Sequence, residues 1–93
     1  MITRFVKLNF TPAYCKQFEI NFPEVKLKVE ANKGCKEVKL FKAANCVYFT
    51  VSKWETEDDL NAYRNTDFFK QTWAIFKANF SAKAEAWTTN EIT

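Results

Sequence analysis

Residues 53–73 read KWETEDDLNAYRNTDFFKQTW: a tryptophan, an acidic burst, a Tyr-Arg-Asn-Thr-Asp-Phe-Phe run and a second tryptophan. Thr56-Glu57-Asp58-Asp59 has the form of a capping box with extra acids in the first helical turn, where carboxylates favour the positive helix end. Leu60 and Tyr63 then follow as the inward residues of a short helix that stops near Asn65. Thr66-Asp67 caps another helix, on which Phe68, Phe69, Thr72, Trp73, Ile75 and Phe76 spread over a band roughly 160° wide. A helix resting on one sheet needs less than that.

Outward from this stretch the periodicity changes. Residues 2–10 alternate Ile2, Arg4, Val6, Leu8, Phe10 against Thr3, Phe5, Lys7, Asn9, which is a strand with one strongly apolar face. Thr11-Pro12 opens a helix, with the hydroxyl as its cap and proline in the first turn. Cys15, Phe18, Phe22, Val25 and Val29 form its stripe as far as about Asn32, Gly34 lies just beyond, and Pro23 is expected to kink it. CKEVKLFK (35–42) and CVYFTVSKW (46–54) are two strands of a hairpin. In the second of them Val47, Phe49 and Val51 share one face, and Cys46, Tyr48, Thr50, Ser52 and Trp54 the other. Helices are expected on the first face, with a pocket or a partner subunit on the second. FSAKAEAWTT (80–89) alternates as a fourth strand. The order β-α-β-β-α-α-β fits an α+β ferredoxin-like sandwich with an antiparallel sheet, expected as a single domain over 1–93.

Composition removes whole classes of chemistry. The chain has no histidine, which excludes Ser-His and Cys-His nucleophilic pairs, histidine-ligated haem and most zinc or non-haem iron sites. Three cysteines, an odd number without C-x-x-C spacing, argue against both a disulfide framework and a zinc site, and are expected as reduced, buried apolar residues. The net charge of +3 is mild and the lysines of 26–42 alternate with Glu24, Glu30 and Glu37, so neither a nucleic-acid nor a membrane partner is expected. MITRFVKLNF enters a strand directly and no stretch is long enough to cross a bilayer; a cytoplasmic location is expected.

The aromatic set Tyr48, Trp54, Tyr63, Phe69, Trp73, Phe76 and Trp87 admits two readings. Aromatic residues dominate small cores, and several rings with a few polar groups also make a cavity for a flat apolar ligand. The acids Glu55, Glu57, Asp58 and Asp59 read as caps, not as a carboxylate site, and Arg64 is placed to pair with Asp67.

A strand ending in Trp54, then Glu55-Thr56-Glu57, an acidic short helix with Leu60, Tyr63-Arg64, Thr66-Asp67 and Phe69 together resemble the antibiotic biosynthesis monooxygenase domain family, and Gly34-Cys35 matches the opening of its second strand. The resemblance implies a homodimer, two ferredoxin-like units pairing as a dimeric α+β barrel, each with a pocket between its sheet and its own helices. It further implies a cofactor-independent monooxygenase that oxidises a small aromatic or quinol-type substrate with molecular oxygen, without metal or flavin. By that resemblance Trp54 and Thr50 stand beside the substrate and Asn9 orients it, as the catalytic group, while Tyr48, Tyr63, Trp73 and Phe76 bind it. Quinol-oxygenating relatives carry Asn four residues before the tryptophan and Tyr six after it; here these are Thr50 and Leu60. The histidine of haem-degrading relatives is replaced by Trp73. Two alternatives stand beside catalysis: a non-catalytic dimer that binds a small apolar metabolite, and an RNA-binding module, whose third-strand glycine CVYFTVSKW lacks.

Overall fold

Nine residues of alternating pattern, Ile2–Phe10, form β1 at the centre of the sheet in the computed structural model, which describes residues 1–93. The chain continues through α1 (Pro12–Glu30), β2 (Cys35–Lys42), β3 (Val47–Trp54), α2 (Glu57–Arg64), α3 (Asp67–Ala78) and β4 (Phe80–Asn90). The four strands lie in the order β2-β3-β1-β4, and every neighbouring pair is antiparallel. This is the α+β ferredoxin-like arrangement that the element order implies.

Local chemistry accounts for most of the boundaries. The Thr56 hydroxyl accepts from the Asp59 amide and the Thr66 hydroxyl from the Phe69 amide, each at 3.1 Å, so both short helices begin where their caps stand. Thr11 behaves differently: its side chain makes no capping bond, and its carbonyl instead receives the Tyr14 and Cys15 amides. Proline in the first turn, which has no N–H to satisfy, takes over part of the capping role. Pro23 lies inside α1 on its exposed side without ending the helix. Gly34 sits at φ +82°, and a Cβ there would come within 2.7 Å of the Asp59 Cβ; its carbonyl receives the Glu55 amide at 2.8 Å. Only glycine gives the chain both that turn and that approach.

The helices lie on the other face of β3 from the one expected, the face for which a pocket or a partner subunit was expected. Register pairs Leu8 with Tyr48 and Ile2 with Trp54, and all four side chains are buried under the helices. The helices therefore cover Tyr48, Thr50, Ser52 and Trp54, while Val47, Phe49 and Val51 point away. The reason lies in β1: antiparallel partners share a face, so the buried Ile2 and Leu8 carry their β3 partners Trp54 and Tyr48 inward, however apolar the alternative face is. The outer face is left bare of helix and carries Phe5, Phe41 and Trp87, which are 38%, 51% and 47% exposed.

Cysteine usage is also corrected. Cys15 and Cys46 form a disulfide that ties the first turn of α1 to the β2–β3 turn, and only Cys35 is free. Nothing in the spacing of 31 residues shows that these two backbones meet; the ferredoxin-like crossover brings them to a Cα separation of 5.6 Å. Asn45 and Cys46 both have φ of 60°, so the bond also holds a non-glycine residue in a left-handed conformation. The core beside it is aromatic, with Phe10 in contact with Tyr14, Phe18, Tyr48, Phe76 and Phe80 at centroid distances of 4.6 to 6.1 Å.

Candidate functional site

Between the sheet and the three helices lies a cavity of about 400 Å³, and 12 of its 17 lining residues are hydrophobic. Its floor follows directly from strand register. Arg4 pairs with Ser52 on one side and Thr88 on the other, and Val6 pairs with Thr50 and Ala86. The floor thus has a polar pair, Ser52 and Arg4, next to a more apolar row, with the exposed Thr88 flanking Arg4 outside the lining. Beyond these, Leu8 closes the deep end. The roof comes from Phe22, Val25 and Val29 of α1, Leu60, Tyr63 and Arg64 of α2, and Phe69, Thr72, Trp73 and Phe76 of α3. The broad apolar band of α3 is divided between this cavity and the core, although Ile75, expected within it, is 56% exposed.

One wall is a continuous aromatic ladder. Trp54 stacks on Tyr63 at 5.2 Å, Tyr63 meets Phe69 edge-on at 5.2 Å, and Phe69 lies parallel to Trp73 at 6.0 Å. Trp54 itself is fully buried, and its indole N–H donates to the Ser52 Oγ at 3.0 Å. With that lone pair occupied, the Ser52 hydroxyl retains its own proton to offer toward the cavity.

Of the residues expected at a site, Thr50, Tyr63, Trp73 and Phe76 are brought together around this cavity. Trp54 lies one ring behind it, against Tyr63. Tyr48 is in the core on Phe10 and Phe18, and its hydroxyl donates to Glu19, which is also bridged to Lys42 at 2.8 Å. Asn9 sits among the side chains of the opposite face, where a register shift of β1 against β4 lets its amide donate to the Lys83 carbonyl at 3.3 Å. The Arg64–Asp67 pair does not form, and neither arginine takes part in an ion pair.

Electrostatics separate the polar groups. Burial, reinforced by the neighbouring Cys35, raises the Tyr63 phenol to about 12, so at neutral pH it is a hydrogen-bond donor and not a base. Its hydroxyl has no protein hydrogen-bond partner. Burial also raises the Cys35 thiol. Arg4 is shifted down, first by burial and then by the positive charge of Arg64. No Asp, Glu, His or Cys lines the cavity.

The family model for the antibiotic biosynthesis monooxygenases matches residues 1–74, from β1 into the helix α3 that roofs this cavity. The chain belongs to the antibiotic biosynthesis monooxygenase family. No curated protein matches the sequence. Among solved structures, an antibiotic biosynthesis monooxygenase superposes with a TM-score of 0.89 at 13% identity, each chain covered over 100% of its length. A conserved protein from Methanosarcina mazei Go1 gives 0.88 at 15%, covering 99% of this chain and 94% of its own. A Caulobacter crescentus CB15 structure named for the same family gives 0.88 at 24%, covering 99% and 90%. At these identities the likeness is one of fold. Sequence reasoning missed several polar residues of this antibiotic biosynthesis monooxygenase domain's cavity lining: Arg4, Ser52 and Arg64, the last of which it placed in a pair with Asp67. A signal existed for Arg4, the one charged residue in the otherwise apolar inward set of β1.

Proposed function

We propose that this protein is a cofactor-independent monooxygenase for a small aromatic or quinol-type substrate, which it holds in the cavity between sheet and helices and oxidises with molecular oxygen. The observation that carries the reading is the cavity itself, about 400 Å³, walled by Tyr63, Phe69, Trp73 and Phe76 and open to only a few polar side chains. Rings of this kind hold a flat, electron-rich ligand and keep water away from it. Such a substrate needs little from the protein. An ionised phenol passes an electron to oxygen, the resulting radicals combine at the ring carbon, and the peroxide collapses to a carbonyl and water. One oxygen atom enters the product, the other leaves as water with the two hydrogens lost, and no outside reductant is consumed. Thr50, Ser52 and Tyr63 orient the substrate oxygens, while Trp54 steadies Tyr63 from behind. The protein acts as a homodimer, with the bare sheet face carrying Phe5, Phe41 and Trp87 turned toward a second copy.

One observation favours a second reading, a non-catalytic dimer that binds a small apolar metabolite. The lining holds no carboxylate or imidazole to accept the phenolic proton, and Tyr63 keeps its own. Oxygen uptake with 1,4-dihydroxynaphthalene, corrected for the uncatalysed rate, separates the two. The oxygenase reading requires uptake well above the blank and a fall of at least about tenfold in Trp73→Ala, which removes a wall of the cavity. Uptake equal to the blank, together with quenching of tryptophan fluorescence by the ligand, leaves only the binding protein.

A further inference from the structure

Only two of the chain's 14 basic residues are arginine, Arg4 and Arg64, and both line the same cavity. They come from different elements, β1 and the last turn of α2, so their meeting is a product of the fold. Arg4 is half-buried and is close enough to Arg64 for the two like charges to repel. No acid offsets them: the lining has no carboxylate, and the six ion pairs of the protein all use lysine. One nitrogen of Arg4, Nη1, donates to the Thr88 Oγ1 at 2.7 Å, which fixes the fork and leaves the remaining N–H groups unused. Arg4 is half-buried and Arg64 exposed, so two neighbouring guanidinium groups without a carboxylate stand at the rim of an apolar cavity, an arrangement that favours an anion bridging them.

We infer that the ligand of this cavity is amphipathic: a flat apolar body among Val6, Phe69, Trp73 and Phe76, ending in an anionic oxygen group held between Arg4 and Arg64. The inference rests on the cavity being the substrate site proposed above and names the class of molecule it takes. Ser52 is the β3 partner of Arg4 and Tyr63 precedes Arg64 on α2, and with both lining the cavity their hydroxyls offer two further donors to that group. The anionic oxygen is a carboxylate or an ionised phenol. In the second case the two arginines do the work of the missing base, by making the phenol more acidic so that its proton leaves to water.

Binding measured under argon tests this without any turnover. 2-Naphthoate and 2-naphthamide share one ring system and differ in charge; titrated at low salt by quenching of tryptophan fluorescence, the acid is expected to bind about tenfold more tightly than the amide. Arg64→Gln, an exposed position without a partner in the protein, narrows that gap, and Arg4→Gln with Arg64→Gln removes it while circular dichroism stays unchanged. In a second arm, the ionisation of bound 4-nitro-1-naphthol is expected about one pH unit lower than in solution for the native protein, and unshifted for the double variant. An arginine-dependent response in either arm supports the assignment and identifies the oxygen. Indifference to the arginines in both arms overturns it, as does failure of all three probes to bind. Oxygen uptake is absent from these measurements, so the oxygenase reading and this one can fail separately.

Discussion

Replacing Cys15 by serine opens the bond to Cys46 and frees the whole segment between them. With 31 residues of separation, the chain-entropy relation gives about 3.7 kcal/mol of stabilisation at 25 °C from restricting the unfolded state. A domain of this size has a urea m-value of about 1–2 kcal/mol/M, so the unfolding midpoint is expected to fall by about 2–4 M. The assay is urea unfolding followed by tryptophan fluorescence, for the native protein, the native protein with reductant, and Cys15→Ser. Counting thiols in denaturant gives an independent check: one before reduction, from Cys35, and three after. Three reactive thiols in the untreated denatured protein, or a midpoint that moves by less than about 0.5 M, would refute the reasoning. The site has a stake in the outcome, since α1 supplies Phe22, Val25 and Val29 to the cavity roof and the disulfide anchors the start of that helix.

Two other outcomes are expected. Tyr63 ionises at about 12 in the folded protein against 10.0 when unfolded, so its contribution to stability is complete below pH 10 and is lost as pH rises through 12. At pH 11 that loss is about 1.4 kcal/mol. Urea midpoints at pH 8 and pH 11 should therefore separate more in the native protein than in Tyr63→Phe, and an equal drop in the two speaks against the buried phenol. On the outer face, Phe49→Lys puts a charge opposite both Lys7 and Phe41, at the centre of the proposed homodimer contact. Sedimentation velocity should show dimer for the native chain and monomer for the variant; a native monomer removes that part of the proposal.

Much of the fold was legible because its signals are local. Alternation defines β1, the Thr56 and Thr66 caps fix two helix starts, and the observed elements agree with those expected to within a residue or two at their ends. What failed was non-local. The more apolar face of β3 looked like the one to bury, yet it is pairing with β1 that decides the matter, and the Leu8–Tyr48 partnership sends Phe49 outward. The Cys15–Cys46 bond depends on how a helix crosses a hairpin, which no spacing rule for cysteines contains. The site was half legible for the same reason. Thr50, Tyr63, Trp73 and Phe76 follow from face and helix periodicity, but an alternation that gives the parity of Tyr48 and Trp54 does not tell how far along the strand the cavity extends. Both lie on the helix-facing side of β3 and outside the lining, one in the core and one behind Tyr63.

The sheet is a wall one residue thick between two apolar spaces. Along β1, Arg4, Val6 and Leu8 belong to the cavity, while Phe5 and Lys7 belong to the bare side. Because adjacent residues answer to different surroundings, the two can change without consulting each other. The interior can be refitted to a new molecule by altering every second position, with the outer surface left as it was. A frame of this kind can be kept while its contents are exchanged, which is one physical route by which chains of 13–24% identity retain nearly the same backbone. It also means that an insertion of a single residue into β1 would do more harm than almost any substitution, since it would turn each side chain beyond it to the wrong side of the wall.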